Sequence, residues 1–357
     1  MSEEPRRAGT AGRVTLNDLS AHAGVSRSTV SLVMGNSPLV AATTRARVLE
    51  SARLLGYVYN RAAAQLRTRR THTIGVAINE ITNPYFTELT AAIQRAFRHL
   101  GRAVFVSNSD EDPALQDQFI GAMREHRADG LVLCPAAGTD PATLMRLRDL
   151  GMPCVLMSRD LAGTALDYVG HANQRGCALA TAHLLDLGHE RIAMVGGVEE
   201  VSTARERQAG YRQALAARGL PADPTLVAAG PPSRGFGFAA IHRLLDIADP
   251  PTAAICFNDV IAFGAMLGLR QRGIEPGRDF AVVGYDDLAE AALWTPALTT
   301  VRIDTAALGT AAAELLLTRI EAPDGPARRV ITEAELVVRA SSCPRPARHG
   351  PGRRSVP

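Results

Sequence analysis

Residues 14–36, VTLNDLSAHAGVSRSTVSLVMGN, read as two short helices on either side of a glycine turn. Thr15 is placed to cap the first helix, and Asp18 three positions on completes a capping-box-like pair in which each side chain satisfies the other's backbone N–H. Leu16, Leu19 and Ala23 follow at helical spacing. Gly24 ends that helix, because only glycine enters the left-handed conformation at little cost. In the AGVS turn Val25 plugs the angle between helices and Ser26 caps the second one, expected from Arg27 to Met34. Val30 and Val33 of that helix face inward, leaving Arg27, Ser28, Ser31 and Leu32 to face out. A third helix over 44–55, started by Thr43 or Thr44 and stopped by Gly56, closes a small core with Val48, Ala52 and Leu55. Two readings fit this pattern: a helical hairpin without a ligand, or a helix-turn-helix whose second helix enters a DNA major groove.

Charge separates the two. Residues 1–71 hold eleven arginines and four acidic residues, a local net charge of +7 in a chain whose total is +3. The positive field therefore belongs to the helix-turn-helix end, and release of counterions from DNA by such a local excess drives binding. A merely basic arm accounts for Arg6 and Arg7 but not for arginines spaced through a folded pattern. The connector 57–71, YVYNRAAAQLRTRRT, has an asparagine cap at Asn60, a turn or two of good helix formers and a cluster of Arg67, Arg69 and Arg70. So short a helix is marginal alone and can be ordered by a partner. Leu66, an apolar residue beside a basic cluster, fits equally a wedge into the DNA minor groove or a contact with the following domain.

From residue 72 the pattern changes. The apolar runs THTIGVAIN, RAVFVSN, ADGLVLCP, MPCVLMS, ERIAMVGG, TAAICFN and FAVVGYD alternate with amphipathic segments such as 84–100, 174–188, 204–218 and 259–272. That alternation predicts parallel sheets covered by helices on both faces, and its length exceeds one ordinary core, so two lobes are expected. Ligands of such sheets bind beyond the carboxyl ends of the strands, which selects residues 79–86, 158–160, 198–207, 258–259 and 286–287.

Composition excludes several chemistries. All 39 basic residues are arginine, so no Schiff-base, P-loop or kinase-type lysine exists. The five cysteines are far apart without a CxxC pair, so neither zinc nor a disulfide framework is indicated, and no metal or cofactor is expected. No GxSxG, HExxH or EF-hand pattern occurs, GFGFAA at 235–240 is an incomplete dinucleotide fingerprint, and His183, His189 and His242 read as surface or capping residues. Asp259, Asp286 and Asp287 fit acid–base chemistry or a sugar-binding cleft, and an enzyme carrying an accessory DNA-binding domain is the alternative to a regulator. MSEEPRRAGT lacks an apolar signal segment and no long apolar run follows, so a cytoplasmic protein with no membrane contact is expected.

The strings TLNDLSAHAGVSRSTVS, NRAAAQL, NPYF, DGLVL, HLLDLGHERIAMVGG, ARERQAGY, FNDVIAFGAM, FAVVGYDD and PALTTVRID occur in the order found in regulators of the lactose/galactose repressor family, which the chain resembles from Val14 to about Ala340. The resemblance implies an all-α helix-turn-helix headpiece, a hinge helix and an α/β core of two doubly wound parallel-sheet lobes like the periplasmic binding proteins. It implies a homodimer reading a pseudo-palindromic operator, with affinity controlled by a small sugar-like effector. The expected divisions are an arm over 1–12, the headpiece over 13–57, hinge and linker over 58–71, the two-lobed core over 72–342 and a disordered tail over 343–357.

Carried onto this chain, the family pattern assigns DNA contacts to Thr15, Ser26, Arg27, Ser28, Thr29, Ser31, Leu32 and Asn36 of the headpiece and to Asn60, Ala63 and Leu66 of the hinge. Arginine at position 27 suits guanine O6 and N7, and Leu32 stands where many members carry a polar reader. Tyr59 replaces the usual proline before Asn60. Effector contacts are expected from Tyr85, Phe86, Ser158, Arg159, Thr203, Arg207, Asn258, Asp286 and Trp294. Arg207 otherwise pairs with Glu206 on the surface, and Trp294 otherwise packs in the core. Ser158 and Arg159 stand where many members have a hydroxyl-accepting aspartate, for which Asp160 is the only nearby substitute. With Arg159 and Arg207 both available, the pocket is expected to favour a smaller or more anionic effector than an ordinary hexose.

Overall fold

The structure is a computed structural model that describes residues 14–35, 37–57 and 70–345. The chain divides into two compact units, Met1–Thr71 and His72–Pro357. In the first, helices α1 (Leu16–Ala23), α2 (Arg27–Met34) and α3 (Ala42–Leu55) enclose Leu19, Ala23, Val30, Val33, Val48 and Ala52. The capping box forms: the Thr15 N–H donates to Asp18 Oδ2 at 2.8 Å while Thr15 Oγ1 accepts the Asp18 N–H. Gly24 adopts φ 61°, and Ser26 Oγ accepts the Thr29 N–H at 3.1 Å. The third helix begins earlier than expected, with Ala41 as an N-cap that has no side-chain bond. The Arg45 N–H already bonds to Ala41 O at 3.0 Å, which places Thr43 and Thr44 inside the first turn.

The second unit opens with β1 (Thr73–Ile78), α4 (Pro84–Arg98), β2 (Ala103–Asn108), α5 (Pro113–Glu125), β3 (Gly130–Leu133), α6 (Pro141–Asp149), β4 (Cys154–Met157) and β5 (Asp167–His171). The chain then crosses to α7 (Asn173–Asp186), β6 (Ile192–Val195), α8 (Ser202–Ala217), β7 (Val227–Ala228), α9 (Arg234–Leu245), β8 (Ala253–Cys256), α10 (Asp259–Gln271), β9 (Ala281–Asp286), α11 (Ala289–Leu293) and β10 (Thr299–Arg302). It returns through α12 (Thr305–Glu321) to β11 (Arg329–Thr332), and crosses once more to β12 (Glu335–Val337). The sheets have the orders β11-β5-β4-β3-β1-β2 and β12-β10-β9-β8-β6-β7, parallel throughout except for the antiparallel pair of β10 and β12. This is the expected pair of doubly wound lobes, joined by three crossings.

All seven apolar runs became strands, and the four helices named from sequence are α4, α7, α8 and α10. GFGFAA lies inside α9, so its glycines form no phosphate loop. His189 is fully buried rather than at the surface, because both ring nitrogens are satisfied, Nδ1 by Thr252 Oγ1 and Nε2 by Cys343 O, each at 2.8 Å. Residues 343–345, expected in a disordered tail, are packed: Cys343 is buried against His189, and the Arg345 N–H donates to Leu187 O at 2.9 Å.

Candidate ligand cleft and nucleic-acid interface

In the first unit α2 buries Val30 and Val33, which turns Arg27, Ser28 and Leu32 to solvent and leaves Thr29 and Ser31 half-buried. The Ser28 hydroxyl is tied to Ser26 Oγ at 2.7 Å, whereas Arg27 has no ion pair or hydrogen bond among the described residues. Arg27 is thus the side chain with most freedom to reach a base edge. Thr15 and Ser26 spend their hydroxyls on helix caps, which fixes the end of each helix that a phosphate would approach. Asn36, Asn60, Ala63 and Leu66 lie outside the described residues.

In the second unit, the strand ends of both lobes meet at a cavity of about 50 Å³. Tyr85, Phe86, Ser158 and Arg159 reach it from one lobe, and Thr203, Arg207, Asn258 and Asp286 from the other. These are eight of the nine residues singled out from sequence. Trp294 does not line the cavity; it stacks on Phe263 with ring centroids 4.4 Å apart and packs against the core. Asp160 is likewise elsewhere, paired with Arg329 at 2.8 Å.

Asn83 caps α4 by accepting the Tyr85 N–H at 3.1 Å, and Pro84 follows as the first helical residue, so NPYF presents Tyr85 and Phe86 to the cleft from a rigid start. Their rings meet edge to face at 5.1 Å. Tyr85 Oη shares a 2.6 Å hydrogen bond with Ser158 Oγ, and burial pushes the phenol above its ordinary range, so it stays a neutral hydroxyl. Ser158 itself holds φ 63°, a left-handed conformation that favours glycine and here aims the hydroxyl at Tyr85.

Arg159 is not available to a ligand. Its guanidinium forks onto Glu111 at 2.6 and 2.8 Å and donates to Pro135 O at 3.2 Å. Burial opposes ionisation of Glu111, but the bonds and charge of Arg159 outweigh it and hold the carboxyl below its ordinary value. Arg207 is more heavily engaged still. Nε donates to Asn173 Oδ1 at 3.0 Å, Nη1 donates to Phe257 O, and the guanidinium lies 3.6 Å from the Tyr285 ring centroid and 4.5 Å from that of Phe257. Its Nη2 is 4.0 Å from Asp286 Oδ1. Glu206, the alternative partner, instead accepts from Asn173 Nδ2 at 2.9 Å. Asp286 sits at φ 114° with its carboxyl buried; burial raises its pKa to about 7 and the nearby Arg207 limits the rise. Asn258 caps α10 through Oδ1, which leaves its Nδ2 as a donor.

Sequence reasoning missed Glu111, His171, Asn173 and Phe257, all of which line the cavity. His171 ends β5 at the first crossing, its Nδ1 3.3 Å from Thr332 Oγ1 at the last crossing and its buried Nε2 without a partner among the described residues. Burial lowers its pKa to about 3, so the ring is neutral. A larger depression of about 580 Å³ opens at the far end of the first lobe around Arg148, Asp167 and Arg319. There Arg319 is held by both oxygens of Asp167 and by carbonyls of the 322–326 loop, so it has no donor left for a ligand.

Residues 15–60 match the model of bacterial regulatory proteins of the lacI family, and residues 71–340 match that of periplasmic binding proteins and the sugar-binding domain of the LacI family. The chain is 30% identical over 328 residues to the HTH-type transcriptional repressor PurR of Photobacterium profundum, covering 92% of this chain and 98% of that protein. Among solved structures, a transcriptional regulator CelR–cellobiose complex aligns with a TM-score of 0.72 at 32% identity, over 92% of this chain and 100% of that one. The Lac repressor dimer bound to operator and the anti-inducer ONPF aligns with a TM-score of 0.82 at 28% identity, over 92% and 99%. A capped helix-turn-helix unit and a two-lobed unit with a polar, aromatic-lined cleft, matched along nearly their whole length, place this chain in the LacI family of DNA-binding transcriptional repressors with a small-molecule effector domain.

Proposed function

We propose that the chain acts in the cytoplasm as a homodimeric repressor whose operator affinity is set by a small, neutral, polyhydroxylated effector. The observation that carries this reading is the convergence of Tyr85, Phe86, Ser158, Thr203, Arg207, Asn258 and Asp286 on one cavity from two lobes. Aromatic faces cover the apolar side of a sugar ring, and paired donors and acceptors satisfy its hydroxyls. Arg159 is neutralised by Glu111, and the Arg207 donors are largely spent on Asn173 and Phe257 O, so a neutral ligand fits better than the anionic one their presence in the sequence suggested. The solved relative that carries cellobiose supports the same chemistry.

On DNA, Arg27 and Ser28 head the reading helix, Leu32 meets thymine methyls, and Leu66 wedges a central base step. The cleft is assigned no catalysis: Asp259 accepts from Thr300 and from the Leu288 N–H, and its buried carboxyl is held well above its ordinary pKa, first by burial. Calorimetric titration of the full chain against neutral monosaccharides, neutral disaccharides and sugar acids tests the effector class. Binding confined to acids would overturn neutrality. Footprinting with and without the bound sugar then tests the switch, and a footprint indifferent to changes at Arg27, Ser28 and Leu32 would overturn the reading helix.

A further inference from the structure

In a doubly wound lobe the helices run opposite to the strands, so the helix C-termini gather at the strand amino ends, away from the cleft. In the first lobe the last turns of α4, α5 and α6 bring Arg95, Arg98, Arg124, Arg146 and Arg148 to that end. Seven of the eight arginines between residues 72 and 171 stand there, and only Arg159 is at the cleft. The five named side chains are exposed, and none makes an ion pair or hydrogen bond among the described residues. The exposed acids at the helix ends there are Glu125, Asp149, Glu321 and Asp324, fewer than the arginines.

Cations at helix C-termini are favoured by the helix dipole alone. The second lobe shows what that effect leaves behind. At its corresponding end Arg218 pairs with Asp186, Arg270 with Glu275, Arg272 with Asp246, and Arg191 with Asp223 and Asp249. The dipole acts equally in both lobes, yet among the described residues the five helix-end guanidinium groups of the first lobe are unmatched, whereas at the corresponding end of the second only Arg243 is. That end is also where the chain carrying the sequence cluster Arg67, Arg69 and Arg70 joins the second unit, since His72 immediately precedes β1.

We infer that the strand-amino end of the first lobe is a second DNA-contacting surface, which engages phosphates of duplex beyond those held by the helix-turn-helix. Guanidinium groups suit this task because they donate two parallel hydrogen bonds to a phosphate. The surface reads no sequence. It adds affinity and salt dependence to every DNA complex the headpiece makes.

The test is fluorescence anisotropy of the full chain on a labelled random-sequence duplex of about 40 base pairs over a range of salt, a probe length chosen to exceed one headpiece footprint. The variant R95Q/R98Q/R124Q/R146Q/R148Q should bind roughly tenfold more weakly at about 0.1 M salt, with the slope of log K against log salt smaller by about two to four. Lysine at the same five positions keeps the charge and should restore most of the slope. If the five-fold variant does not fold, R95Q/R98Q and R146Q/R148Q made separately should each lower the slope by about one to two. Unchanged affinity and slope in folded glutamine variants would overturn the inference and leave the arginines as helix-end cations. Failure of the unmodified chain to bind any duplex would instead overturn the DNA-binding reading on which this one rests.

Discussion

At the scale of single residues, the cleft is governed by which charges are already spent. Arg207 is pinned by Asn173, Phe257 and Tyr285, so its fixed remaining donor faces Asp286. Arg207→Ala should abolish effector binding by calorimetry while leaving affinity for DNA in the absence of effector within about twofold, because the side chain lies in the second unit. Glu111 acts by neutralising Arg159; Glu111→Gln leaves a guanidinium with half its partners and should shift preference from neutral sugars towards sugar acids, measured as a reversed ratio of dissociation constants. Asp286 makes stability depend on pH. Its carboxyl remains protonated in the folded chain up to about pH 7 but ionises near 3.8 when unfolded, so stability falls as pH rises between those values. The loss is at most about 4 kcal/mol from a shift of roughly three pKa units. Asp259, buried and also raised, adds in the same direction. Urea unfolding at pH 5 and pH 8 should show a smaller difference for Asp286→Asn than for the unmodified chain; an equal difference would show that Asp286 does not titrate in this window.

At the scale of elements, what could be read in advance was what local chemistry decides. The capping box, Gly24 and Ser26 announce α1 and α2 because caps act within four residues. Six of the seven runs announce their strands because both faces of a central parallel strand are apolar, while β2 is an edge strand with alternate residues exposed. By contrast β5 is DYVGH and β11 is RVIT, short strands carrying polar residues, whose mutual pairing joins segments distant in sequence. The same limit hid Glu111, which reads as part of an acidic turn until its partner 48 residues away is known. It also explains why the sequence pointed to an anionic effector where the geometry favours a neutral one, since a count of arginines cannot show which are paired. Close packing of elements makes a further prediction. α7 and α8 touch at Gly210, where an added Cβ would stand 2.0 Å from the backbone oxygen of Gln174. Gly210→Ala should therefore lower stability by about 3 kcal/mol or more, seen as a reduced urea midpoint.

At the scale of the molecule, the cleft and the crossings belong together. A cavity of about 50 Å³ is well below the ~300–1,000 Å³ of ordinary ligand pockets, so a sugar enters only when the lobes part. Parting must be absorbed where the chain crosses, and His171 and Thr332 clasp two of the three crossings at the edge of the cavity. A ligand that satisfied His171 Nε2, unpartnered among the described residues, would act beside two of the three crossings. This is the differential contact that a population shift between lobe orientations requires.

The third crossing has a consequence in time. The first lobe lacks β11 until residue 332 has been made, and the second lacks β12 until residue 337, so neither sheet can close while most of the chain is still being synthesised. Helices α1 to α3, whose core is complete once Tyr57 has been added, need nothing that comes later for it. On the ribosome the DNA-reading unit is therefore finished some 280 residues before the domain that restrains it. A chain ended after Glu321 should keep a folded headpiece by amide exchange, bind DNA weakly and ignore every effector.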